Sequence, residues 1–148
     1  MIAIVQRVTE ARVLVNGDTV GEIGHGMLAL VAAVQEDAQS DVTWMANKLA
    51  SLRIFRNPDK HFDRDIREVL GAILLVSNFT VAAQTKRGRR PSFDQAAPGD
   101  SGRSLLDQLQ RALLDLGVPV ATGVFGADMQ VQIVNDGPAT FIVNSRGE

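Results

Sequence analysis

The fold is decided by residues 11–34, which read ARVLVNGDTVGEIGHGMLALVAAV. Ala11, Val13 and Val15 recur at every second position, which is the period of a β-strand. Asn16-Gly17 is a dipeptide that tolerates the positive φ of a tight hairpin turn, so residues 19–23 are predicted to form the return strand. After a second turn at residues 24–26, the apolar run of residues 27–34 is typical of a strand buried on both faces.

The period changes on both sides of a further short buried strand at residues 72–76. Two amphipathic helices are predicted from apolar residues spaced three or four apart, namely Val42, Met45, Leu49 and Leu52 in the first and Leu105, Leu106, Leu109, Leu113 and Leu116 in the second. Ser40 or Asp41 is the expected N-cap of the first helix, and Gly117 ends the second. Residues 85–102, rich in glycine, proline and charge, are expected to form a long surface loop.

Two final strands are expected around residues 129–133 and 141–143, joined by a turn at residues 135–138. Without an internal repeat or a change in composition, residues 1–148 are predicted to form a single domain. The predicted fold class is therefore α+β, with a mixed, largely antiparallel sheet, barrel-like β layers and two main helices.

Composition excludes several kinds of chemistry. The 148 residues contain no cysteine, which rules out disulfides, thiolate zinc sites and a cysteine nucleophile. His25 and His61 lie in no metal-binding string, so neither a metal nor a cofactor is expected. The string GHGMLA at residues 24–29 precedes a strand, whereas dinucleotide binding requires a following helix. No apolar run approaches the ~20 residues of a membrane span, and no signal peptide is recognised, so a cytoplasmic protein is expected.

Three segments remain unusual, and each has two interpretations. Residues 77–80, Ser-Asn-Phe-Thr, either satisfy the backbone at a strand end or line a site. The cations at residues 86–90 are either a solvated loop or a phosphate-binding patch, to which Phe93 adds a stacking surface for single-stranded nucleic acid. Gly137-Pro138 is either an ordinary hairpin turn or a tight turn with a cis bond.

Together these segments resemble the D-aminoacyl-tRNA deacylases over nearly the whole chain. Residues 77–81 look like the family's Ser-Gln-Phe-Thr-Leu motif, and residues 135–140 look like its Gly-cisPro signature. Further matching strings are Met1-Ile2-Ala3, Gln6-Arg7-Val8, Arg53-Ile54-Phe55, Arg87-Gly88, Arg90-Pro91-Ser92-Phe93 and residues 125–131.

The resemblance implies an enzyme that hydrolyses the ester bond of D-aminoacyl-tRNA and also cleaves glycyl-tRNA, including glycine mischarged on tRNA(Ala). The tRNA 2′-hydroxyl would assist the reaction. The residues assigned to catalysis are Ser77, Asn78, Phe79 and Thr80, with backbone amides near Phe79 and Thr80 as the oxyanion contact. Those assigned to substrate binding are Gly137, Pro138, Phe125 and Met129. Those assigned to tRNA are Lys86, Arg87, Arg89 and Arg90.

The resemblance also implies a homodimer, in which Gly137 and Pro138 reach the neighbouring subunit's pocket and exclude L-amino acids. Two departures from the family pattern stand out: Asn78 replaces the usual glutamine, and Val124 stands where some relatives carry arginine. An alternative is a non-catalytic tRNA- or RNA-binding module that uses the basic loop. A serine esterase is a third hypothesis, although the chain has no G-x-S-x-G elbow.

Overall fold

The hairpin and the buried run of residues 11–34 form part of a six-stranded mixed sheet. The computed structural model describes residues 1–147. The elements, in chain order, are β1 (Ile2–Val15), β2 (Asp18–Ile23), β3 (Gly26–Ala32), α1 (Gln39–Ser51), β4 (Ala72–Ser77), a short 3-10 helix (Phe79–Ala82), α2 (Gly99–Asp115), β5 (Val120–Thr122) and β6 (Gln130–Asn144).

Strand β1 organises the sheet. β6 runs antiparallel to β1 over almost its whole length. β3 pairs with the first half of β1 and β2 with its last residues, both also antiparallel. β4 and β5 extend the sheet beyond β3 in parallel orientation. The predicted hairpin turn is confirmed, because Asn16 and Gly17 both have positive φ. The sheet curls until the backbone of Gly21 meets the carbonyl of Thr122, so the mixed sheet is nearly closed and barrel-like, as predicted.

The sheet carries apolar residues on both faces. Both predicted helices are confirmed, and they cover one face, on which the largest core cluster lies. A smaller cluster fills the concave face and includes Leu28, Leu74 and Val76. Because β3 and β4 are covered on both sides, their residues form continuous apolar runs in the sequence. No helix among residues 1–147 is long and apolar enough to span a membrane.

Two predicted boundaries were wrong. Helix α1 has Ala38 as its N-cap residue, and Asp41 acts instead from the first turn by accepting a hydrogen bond from the Ala38 N–H at 2.9 Å. The surface loop ends at Pro98 rather than residue 102, because α2 already begins at Gly99. The sequence pattern did not predict a helix start here, because Gly99 and Gly102 in the first turn have a low helix propensity.

The predicted turn at residues 135–138 was also wrong. β6 is one continuous strand, and both of its halves pair with β1 rather than with each other. Gln6 is opposite Thr140 and Val8 is opposite Asn135, so four residues of β6, 136–139, stand against the single residue Arg7. These residues form a wide bulge. Strand β1 has 14 residues and is long enough to pair with both halves of β6. This long-range pairing is not evident from the local sequence pattern.

Candidate active site

A cavity of about 300 Å³ opens where β3 and β4 end. These two strands are parallel, so their carboxyl ends meet at the same edge of the sheet. The predicted residues Ser77, Asn78, Phe79, Phe125 and Met129 come together here as lining residues. The rest of the wall comes from residues 30–33 of β3 and its extension, from Ala97, Gly102 and Leu106 at the start of α2, and from Val76, Gly126, Ala127 and Val131.

Among residues 1–147, no titratable side chain lines this cavity. Its polar side chains are Ser77 and Asn78, and the remaining lining residues are apolar or glycine. Within residues 1–147, no group of histidine, aspartate and glutamate side chains is arranged to hold a metal ion. The arrangement can therefore bind an apolar or aromatic group and orient a polar one, but it offers no side-chain general base.

Residues 77–80 are held by the end of the parallel sheet. The Asn78 N–H donates to the Val31 carbonyl at 2.9 Å, which fixes the strand end beside β3. Thr80 Oγ1 donates to Asn78 Oδ1 at 2.5 Å, so the hydroxyl proton points to an amide oxygen. Thr80 does not line the cavity itself. The main-chain N–H groups of Phe79 and Thr80, at the start of the 3-10 helix, have no acceptor among the described residues.

The basic loop of residues 85–91 begins next to this cavity. Gln84 and Ser92 exchange backbone hydrogen bonds of 2.8 and 2.9 Å and close the base of the loop. Phe93, just beyond, packs edge-on against Phe79 with ring centroids 5.1 Å apart. The predicted cations are all exposed, and within residues 1–147 they form no ion pairs; they are Lys86, Arg87, Arg89 and Arg90. Their charge is therefore available to an anionic partner.

Gly137 and Pro138 do not line the cavity of their own chain. They are exposed on the bulge of β6, and the peptide bond between them is cis. The structure thus brings five of the predicted site residues together and leaves these two at a different part of the sheet. Within one chain, neither residue therefore belongs to the wall of this cavity.

Arg7 holds the bulge from beneath and was not among the predicted site residues. Its side chain is only 2% exposed. It donates to three main-chain carbonyls: Nε to Asp136 at 3.0 Å, and Nη1 to Ile54 at 2.7 Å and to His61 at 3.2 Å. Burial lowers the pKa of Arg7, although the nearby Asp136 carboxylate acts in the opposite direction. The sequence did contain a signal, since Ala3, Val5 and Arg7 follow one buried face of β1 at the strand period.

Known proteins resemble this chain in both sequence and structure. Residues 4–144 match the family described as D-Tyr-tRNA(Tyr) deacylase. The chain is 49% identical over 146 residues to a D-aminoacyl-tRNA deacylase of Geobacter sulfurreducens, covering 99% of this chain and 96% of the relative. A solved structure of a c-Myc DNA Unwinding Element Binding Protein superimposes with a TM-score of 0.93 at 35% identity, covering 97% of this chain and 98% of that one.

A second solved structure extends the likeness in fold. It is described as a probable eukaryotic D-amino acid tRNA deacylase and is 19% identical, with a TM-score of 0.78. The superposition covers 96% of this chain and 98% of the other. At this identity the match concerns the fold alone.

Proposed function

The chain belongs to the D-Tyr-tRNA(Tyr) deacylase family, and on that premise we propose that it hydrolyses the ester bond of D-aminoacyl-tRNA, releasing free tRNA and the D-amino acid. The observation that carries the proposal for this chain is the assembly of Ser77, Asn78, Phe79, Phe125 and Met129 around one cavity. The cavity is large enough for a nucleoside or an amino acid side chain.

Hydrolysis of this ester requires few catalytic groups from the protein. An aminoacyl ester is already activated, so hydrolysis depends on positioning and on stabilising the negative charge that develops on the carbonyl oxygen. The unpaired main-chain N–H groups of Phe79 and Thr80 are suited to that oxyanion. The family resemblance implies that the 2′-hydroxyl of the terminal adenosine assists the reaction, which fits a cavity wall whose described residues supply no side-chain base. The bond from Thr80 to Asn78 supports an orienting role for Thr80, since an amide oxygen does not activate a nucleophile.

Asn78, which replaces the family's glutamine, helps to position residues 77–80. Its amide oxygen accepts from Thr80, and its main chain is fixed by Val31. Phe125 and Met129 form the apolar part of the wall, which suits the terminal adenine. The amino acid then lies toward residues 77–80, next to the unpaired N–H groups.

Selection against L-amino acids is assigned to Gly137 and Pro138 acting across a homodimer. Their exposure on the bulge, away from their own cavity, supports insertion into the partner's cavity. The two carbonyls would then hold the substrate's ammonium group, and an L side chain would collide with the motif. Glycine has no side chain to collide, so glycyl-tRNA, including glycine on tRNA(Ala), is a second substrate.

The test is a hydrolysis assay on matched substrates. The purified protein is incubated with D-tyrosyl-tRNA, L-tyrosyl-tRNA and glycyl-tRNA, with and without a chelator. We expect the D-tyrosyl and glycyl esters to be cleaved at rates that the chelator does not change, and the L-tyrosyl ester to persist. Cleavage of the L ester alone would contradict the proposal. Salt-dependent tRNA binding without turnover would favour the alternative, an RNA-binding module that uses the basic loop.

A further inference from the structure

One arginine outside the basic loop stands at the rim of the cavity. Arg103, in the second turn of α2, places its guanidinium carbon 4.9 Å from the centre of the Phe125 ring. Phe125 and the neighbouring Gly102 both line the cavity. A Cβ on Gly102 would lie 3.6 Å from the tip of Phe125, so helix and ring are in close contact here.

Arg103 is held in place without being neutralised. Its side chain is exposed, and among residues 1–147 it has neither an ion-pair partner nor a hydrogen-bond acceptor. Contact with an aromatic ring restrains a guanidinium while its N–H donors stay available. The restraint lowers the entropy that must be lost when the group binds an anion. Among the described residues, the cavity wall contains no charged side chain, and Arg103 brings a cation to it by contacting the lining residue Phe125.

We propose that Arg103 binds the phosphate that joins the terminal adenosine of the substrate to the preceding nucleotide. This rests on the proposed function, in which the terminal adenosine occupies the apolar wall at Phe125 and Met129. The 5′-phosphate of this adenosine then connects it to the rest of the tRNA outside the cavity. This connection passes the rim on which Arg103 lies. A guanidinium matches phosphate geometry with two parallel hydrogen bonds. Val124, beside Phe125, has no charge, whereas Arg103 of α2 contacts the Phe125 ring.

The test uses two small esters that differ by one phosphate. D-tyrosyl-adenosine lacks the phosphate, and the D-tyrosyl ester of the dinucleotide cytidylyl-adenosine contains it. We expect Arg103→Ala to lower kcat/KM about tenfold for the dinucleotide ester, through KM. The same variant leaves cleavage of D-tyrosyl-adenosine unchanged. Arg111→Ala, which removes an exposed arginine two turns further along α2, is the matched control and changes neither rate.

Each outcome separates this inference from the proposed function. An equal loss on both esters would show that Arg103 acts only by packing on Phe125 and would overturn the inference. Unchanged kinetics on both esters would overturn it as well, while the deacylase activity of the wild type still stands. A wild-type protein that cleaves neither these esters nor D-aminoacyl-tRNA would defeat the proposed function itself, and the inference with it.

Discussion

Arg7 Nε donates a hydrogen bond of 3.0 Å to the main-chain carbonyl of Asp136 and lies 3.3 Å from the carboxylate Oδ2 of the same residue. A buried cation in the middle of β1 thereby fixes the first residue of the bulge in β6. Gly137 and Pro138 directly follow Asp136 in this bulge. The geometry of the exposed bulge is therefore coupled to the packing of the core.

Replacing Arg7 is expected to destabilise the fold as well as the bulge. Arg7→Ala leaves the carbonyls of Asp136, Ile54 and His61 without their donor, and we expect the free energy of unfolding to fall by about 2–4 kcal/mol. The measurement is urea unfolding at neutral pH. Arg12→Ala, an exposed position on the same strand, is the control and should change stability by less than about 0.5 kcal/mol. Equal losses in the two variants would contradict the assignment.

A side chain at Gly137 is expected to displace the bulge. Gly137 has φ +140°, and a Cβ there would lie 2.9 Å from Arg7 Nη2, which its three hydrogen bonds prevent from moving freely. Gly137→Ala should therefore cost about 2–3 kcal/mol of stability and lower deacylation. In Gly17→Ala the φ of +84° is also unfavourable. Apart from the neighbours in the chain, however, no heavy atom of the described residues would lie within 4 Å of the new Cβ, so we expect a cost of about 1 kcal/mol and normal activity. Thermal unfolding and the hydrolysis assay together distinguish the two variants.

Mixing two defective proteins tests whether the bulge acts across a dimer. Gly102→Leu fills the cavity but leaves the bulge intact, whereas Gly137→Ala alters the bulge but leaves the cavity intact. If Gly137 serves the partner's cavity, refolding the two variants together should restore activity, because a mixed dimer contains one intact pair. Activity that stays at the level of the separate variants would show that each bulge serves its own chain, or that no dimer forms.

Removing the cations of the basic loop is expected to weaken tRNA binding more than the chemical step. Replacing Arg87, Arg89 and Arg90 with alanine should raise KM and reduce the slope of log KM against log salt by about 2, since each phosphate contact contributes roughly 0.7. kcat should change little. The control removes equal charge from exposed positions elsewhere, namely Lys48, Arg64 and Arg111. The same salt dependence in both variants would count against the loop.

Asp41 is expected to make stability depend on acid pH. Burial alone would raise the pKa of Asp41, but bonds from Ser145, the Ala38 amide and Arg146 outweigh it and lower the pKa to about 2. The stabilisation is therefore complete above about pH 4 and is lost as the pH falls toward 2. Between about pH 6 and pH 2.5 the free energy of unfolding of the wild type falls. In Asp41→Asn this fall should be smaller by about 1–2 kcal/mol. Asp107→Asn, at an exposed position, is the control and should leave the fall unchanged.

Local patterns were sufficient for most of the elements. The Asn16-Gly17 turn needs only two residues that accept positive φ, and the apolar runs that became β3 and β4 reflect burial on both faces. Residues 77–80 could be recognised as unusual because polar groups follow such a run directly. The start of α2 at Gly99 was missed, since tertiary contacts around Gly102 outweigh the low helix propensity of glycine.

By itself, the sequence determined the hairpin, the buried strands, the two helices and the family resemblance, because each depends on neighbouring residues or on matched strings. Only the tertiary structure decided that residues 136–139 form a bulge rather than a turn, that Arg7 lies beneath it and that Arg103 lies over Phe125. These contacts join residues more than 20 positions apart. Their geometry depends on how β1 pairs with β6 and how α2 packs at the ends of β3 and β4, and no local period in the chain encodes it.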